Sequence, residues 1–183
     1  MADKDFTEEF EKRVGAELRG FLTRTGVLDE RVPECPDVEE RWESILHSYL
    51  PDGVREFAGY PVVSLGWMMF VGMAMAFYWD IDWEDYSTHA DIYGELRGLR
   101  GFDNLDEAIV EDVLGYRGED AARVTAIAAD CAQRVLSIMN HSGIEGGTAT
   151  ALACYKAALH QLYLAGVGME LNALGYHMRP LGG

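Results

Sequence analysis

The sequence predicts an all-α fold: one single-domain helical bundle of about five to seven helices around a fully apolar central helix at about residues 62–79. Three observations predict it. Apolar residues recur every three or four positions along most of the chain, no segment alternates with the period of two that a strand requires, and Pro, Gly and capping residues punctuate the helical stretches. With 183 residues, 49% of them hydrophobic and 25% charged, the chain can bury one core without disulfide or metal staples.

The elements follow in order. Phe6, Phe10, Val14, Leu18 and Phe21 line one face of a first helix, with Gly26 as its stop. Its outer face carries Glu8 with Lys12 and Glu9 with Arg13, acid before base at i,i+4. A second helix starts near Pro36, a residue suited to the first helical position, and turns Val38, Trp42, Ile45 and Tyr49 inward. It is expected to end before Pro51. The third helix begins at Pro61. Beyond Asp80 the pattern predicts one short helix and a Gly-punctuated loop. Asn104 and Glu107 then form a capping-box pattern that opens a helix closed by Gly115. Another helix runs over about 119–140, with Val124, Ile127, Cys131, Val135 and Ile138 inside and the pairs Glu119–Arg123 and Asp130–Arg134 outside. The last runs over about 148–174 and stops before Gly175.

The central helix decides the class of object. Residues 62–79 contain no charge, and as a helix they would extend about 27 Å, close to the ~30 Å of a bilayer's hydrocarbon. Its glycines, alanines and serine weaken the case for insertion, and no Lys or Arg occurs between Arg55 and Arg97 to flank a span. The amphipathic stripes of the other helices also need an apolar partner, and a helix apolar all round supplies one. The reading is a buried spine. Gly72 and Ala76 make a small seam on it, and Ala151, Cys154, Ala158 and Ala165 make another on the last helix, so these two helices are expected to touch.

Charge and cysteine usage narrow the partners. The formal net charge of −16, from 31 acidic and 15 basic residues, repels nucleic-acid phosphates and anionic lipid headgroups. Nucleic acid and membrane are therefore not expected partners. The opening MADKDFTEEF lacks a basic leader and apolar run, and Cys35, Cys131 and Cys154 are too few and too irregular for a disulfide framework. A cytoplasmic protein with reduced thiols is expected.

Chemistry has few carriers. Asp80, Asp82, Glu84, Asp85, Asp91 and Glu95 form an acidic run with His89 among them. If residues 82–93 are helical, Asp82, Asp85 and His89 fall at i, i+3 and i+7 on one face, a set that could ligate a divalent metal. The alternative is a solvated acidic face. His47, His89, His141, His160 and His177 include no HExxH pair. His160, Gln161 and Asn172 are polar on a helix that is otherwise small and apolar, so they need partners or line a pocket. The aromatics Phe77, Tyr78, Trp79, Trp83 and Tyr86 crowd the end of the spine beside the acids, either capping the bundle or offering a partner surface.

No nucleophile elbow, phosphate loop or electropositive cysteine is present. Two functions compete: an interaction or scaffold protein that self-associates as a homo-oligomer and takes a protein partner, or a small-molecule-binding protein or metal-dependent enzyme using segment 80–95. A dry core without a concave pocket would favour the first, an enclosed polar pocket the second.

Overall fold

The computed structural model describes residues 1–29 and 33–176, and among them every regular element is helical. Helix α1 spans Lys4–Arg24, α2 Pro36–Glu39, α3 Trp42–Gly59, α4 Pro61–Tyr86 and α5 Ile92–Arg100. The short α6, Leu105–Glu107, widens into a π turn over Ala108–Val113, and α7 (Gly118–Asn140) and α8 (Ala149–Ala173) complete the bundle.

Capping explains several ends. Asp3 Oδ1 accepts the Phe6 amide at 3.0 Å, and Thr148 Oγ1 accepts the Ala151 amide at 3.1 Å, each satisfying an orphan donor of the first turn. Gly26 adopts φ +82° just past α1, where the left-handed backbone lets the Val27 amide reach back to the Leu22 carbonyl. Between α3 and α4 a single residue turns the chain. Tyr60 ends one helix and precedes Pro61, which forces it out of the helical region.

Three local expectations are corrected. Helix α3 does not stop at Pro51 but continues eight residues to Gly59, as its span Trp42–Gly59 shows. Pro51 and His47, four positions earlier, are both exposed, so the carbonyl that loses its amide partner lies on the solvent side. The helix predicted from Pro36 also breaks at Glu40–Arg41, leaving α2 as one turn. Arg41 accounts for the placement of that break: its guanidinium donates to the Ser87 carbonyl at 3.1 Å and the His89 carbonyl at 2.5 Å, stapling the α4–α5 loop. The capping box at Asn104 does not form, because the side-chain amide donates to the Arg100 carbonyl at 3.3 Å instead.

At the centre lies α4. Leu65, Met68, Met69, Phe70, Val71, Met73, Ala74, Met75 and Ala76 are all buried, and each large one contributes about 1.5–3 kcal/mol of transfer free energy. By length and composition α4 could cross a membrane, but most of its apolar window is buried against the surrounding helices, as in a core helix. Its chief neighbour is α8, as the small seams predict. A Cβ on Gly72 would overlap the Tyr163 carbonyl, and one on Gly166 would overlap the Met69 carbonyl. The two backbones are thus in direct contact. Gly66 makes a milder approach to Ala132 on α7, at 3.5 Å from its Cβ.

Buried polar groups are knitted between α3, α4, α5 and α8. Ser64 Oγ donates to the Gly53 carbonyl at 2.7 Å and lies 2.5 Å from Tyr155 Oη, while Tyr49 Oη donates to the Ser64 carbonyl at 2.6 Å. One turn away, Asp52 collects Tyr93 Oη at 2.6 Å, Arg55 at 2.7 Å and Arg97 at 2.9 Å. A buried carboxylate needs such partners, and two guanidiniums supply the countercharge.

Candidate functional site

The acidic segment is not one helix. Helix α4 carries a non-helical residue at Asp82 (φ −167°, ψ 69°), ends at Tyr86, and is separated from α5 by the turn containing His89. The premise that put Asp82, Asp85 and His89 on one helix face is therefore corrected. Asp82 Oδ1 accepts the Asp85 amide at 3.3 Å, capping the last turn of α4 after the kink. The structure does bring Asp85 and His89 together. His89 Nε2 is 3.2 Å from Asp85 Oδ2, and its Nδ1 is 3.0 Å from the Glu95 carboxylate on α5. Hydrogen bonding to Glu95, then to Asp85, raises the imidazole pKa, and the ring bridges the two acids. Among the described residues, no group of three His, Cys, Asp or Glu side chains has the arrangement to hold a metal ion.

A concave site lies elsewhere. A cavity of about 770 Å³ opens between α1, residues 33–39 and α8. Leu18, Leu22, Leu28, Val38, Leu164 and Val167 form most of its wall, and Gln161, Glu39 and Arg19 supply polar groups. Local chemistry shapes this space. Cys35 in extended backbone and Pro36 start α2, and the single turn that follows places Val38 and Glu39 against α8. Gly15 leaves room on α1 for Gln161, whose Oε1 would be 2.7 Å from a Cβ there.

The polar groups are organised by His160. Its Nε2 lies 2.7 Å from Glu39 Oε1, its Nδ1 3.7 Å from Glu11 Oε2, and its ring stacks on Trp42 at 4.8 Å between centroids. Gln161 donates to the same Glu11 carboxylate at 2.9 Å. Burial opposes charge on this histidine, but the carboxylates of Glu11 and Glu39 outweigh it, and its pKa is raised. Glu11 is lowered in turn, chiefly by its hydrogen bond to His160. The Glu11–His160–Glu39 bridge thus ties α1, α8 and α2, the three walls of the cavity. Glu39 Oε2 is buried without a hydrogen-bond partner.

Burial keeps the three cysteines in the thiol form. All are free and buried, and burial pushes the Cys131 thiol up to about 12 and raises those of Cys35 and Cys154. Sequence reasoning flagged His160, Gln161 and Asn172 as polar intruders on α8, and the structure gives them partners from distant helices. Glu11 and Glu39 carried no signal, since each reads as one acid on an ordinary amphipathic face. His177 lies outside the described residues. Comparison with protein-family models, with curated proteins and with solved structures gives no match to this chain, so the site rests on its own geometry.

Proposed function

We propose that this is a small-molecule-binding protein whose ligand occupies the cavity between α1, residues 33–39 and α8. The observation that carries the reading is the cavity itself: about 770 Å³, apolar along most of its wall, with Gln161, Glu34, Glu39 and Arg19 as the polar side chains among its described lining residues. That size and this mixture suit a small molecule with an apolar body and one polar end. The acidic Glu34 and Glu39 at the cavity wall favour an amine or hydroxyl over a carboxylate at that end. The test is calorimetric titration with octylamine, octanol and octanoate against the protein and its Leu164→Trp variant, whose indole enlarges the side chain at the cavity wall. Binding of octylamine or octanol, lost in the variant, is expected; no heat from any of the three would remove the proposal.

Self-association is a second proposal. Val54, Tyr60 and Leu99 on α3, its end and α5 are exposed large apolar side chains, material for a contact between copies or with another protein. Sedimentation velocity over a concentration series reads it directly, and a single monomeric species throughout would end it. The free, buried thiols suit a reducing cytoplasm.

A further inference from the structure

A second cavity, of about 360 Å³, has a different character. Tyr116, Asp120, Arg123, Glu170 and Asn172 contribute to its wall, together with Val27 of the turn after α1. Glu170 is the deepest of them, only 3% exposed. Tyr116 Oη donates to its Oε2 at 2.7 Å, and it has no ion-pair partner among the described residues. Asn172 Nδ2 donates to the Val27 carbonyl at 2.9 Å, which leaves its Oδ1 buried and without a hydrogen-bond partner. Among the described residues that line it, the guanidinium is that of Arg123, which is exposed and donates to the Thr25 carbonyl at 3.2 Å.

A buried carboxylate without a cation and an amide oxygen without a donor are costly when alone. Asn172 Oδ1 is sealed within the wall, whereas Glu170 lines the cavity as an acidic acceptor with no countercharge among the described residues. We propose that this cavity is a second ligand site, specific for a small organic cation with N–H donors, an alkylammonium or guanidinium group. The remaining charges agree. Asp120 on α7 lines the cavity, Asp80 on α4 acts on Glu170 through space, and Arg123 opposes them. A formal charge of −16 over the whole chain adds long-range attraction for any cation. The volume admits only a compact ligand, and the site shares no lining residue with the larger cavity.

Burial, opposed by the Tyr116 hydrogen bond and reinforced by Asp80, raises Glu170 to about 7. A cation prefers the ionised carboxylate, so binding releases a proton and strengthens with pH. With that pKa, affinity should rise about tenfold from about pH 6 to about pH 8. Calorimetric titration at fixed ionic strength with methylguanidinium and propylammonium tests this, with tetramethylammonium as the equally charged probe that has no N–H. Expected results are binding of at least one of the first two, absence of binding by the third, and loss in Glu170→Gln. That variant keeps an acceptor for Tyr116 and so should fold. Leu164→Trp in the other cavity should leave binding intact. Equal binding of tetramethylammonium, unchanged binding in Glu170→Gln, or no binding of any probe would each overturn the proposal.

Discussion

Gly72 on α4 and Gly166 on α8 are reciprocal: each lacks the one carbon that would overlap a main-chain carbonyl of the other helix, Tyr163 for the first and Met69 for the second. No side chain stands between the helices at this crossing. A carbonyl held inside a helix cannot swing aside as a flexible side chain can, so an added methyl must push the helices apart.

Gly72→Ala and Gly166→Ala should therefore each destabilise the fold by about 1–3 kcal/mol or more, as overpacking does in tight cores. Gly98 in α5 is the control, since a Cβ there meets nothing within 4 Å. Gly98→Ala should stabilise by about 0.5–1 kcal/mol through helix propensity. Urea denaturation of the three variants reads both signs, and equal effects at all three positions would contradict the close contact.

The Ser64 hydroxyl has one hydrogen, and the Gly53 carbonyl takes it, so Tyr155 must donate in the 2.5 Å contact between them. Ser64→Ala then orphans the buried Tyr155 phenol and removes the second donor to the Gly53 carbonyl, which keeps its bond within α3, and should cost about 1–3 kcal/mol. Tyr155→Phe orphans neither, so the lost bond should cost about 1 kcal/mol. Adding Tyr155→Phe to Ser64→Ala should cost less than it does alone, a coupling that a double-mutant cycle measures.

Glu170 makes stability depend on pH in an unusual sense for a carboxylate. Its folded pKa of about 7 lies above its ordinary 4.5, so the folded protein holds the proton more tightly than the unfolded chain. That contribution is complete below 4.5 and is lost as pH rises through about 7, amounting to about 3 kcal/mol at most. Denaturation midpoints of Glu170→Gln should lack this decline. A wild-type slope identical to the variant's between those two values would contradict it.

His160 and Glu11 bracket the opposite window. The raised histidine stabilises fully below its ordinary 6.5, and that stability fades as pH climbs through the raised value. The lowered glutamate stabilises above its ordinary 4.5, and that stability fades as pH falls through the lowered value. Between those limits the bridge across the larger cavity is whole. His160→Gln should flatten the alkaline decline in melting temperature while leaving the acid limb from other carboxylates.

For the acidic segment, Asp82 is engaged with backbone and His89 with Asp85 and Glu95. Exchanging Mg²⁺, Mn²⁺, Zn²⁺ or Ca²⁺ for monovalent salt at fixed ionic strength should leave the melting temperature unchanged. A rise with any one ion that Asp85→Asn removes would restore the three-ligand site.

The fold was legible because helical packing writes its rules locally. A three-to-four-residue apolar period marked α1, α3 and α7, an uncharged apolar run marked α4, and small residues at Gly72, Ala158 and Ala165 marked where α4 and α8 meet. Gly166 escaped because its spacing fits no run of small residues on the stripe chosen. Pro51 misled for a physical reason: a proline ends a helix when the freed carbonyl is buried, and here it is on the water side. Both cavities were illegible. Their walls join residues far apart in sequence, such as Glu39 with His160 and Tyr116 with Glu170, and no local period records such meetings. Only the polar residues of α8 hinted at them.

Around the glycine crossing, α4 buries Met68, Met69, Met73 and Met75, the most adaptable of the large apolar side chains. The interior thus has one pinned point inside an accommodating surround. Random substitution should be absorbed unevenly: Met→Leu or Met→Ile changes in α4 are taken up by rotamer adjustment in neighbouring thioethers, whereas any replacement of Gly72 or Gly166 is resisted. The lineage of this fold can vary in the volume of its filling far more readily than in the distance between its two central axes.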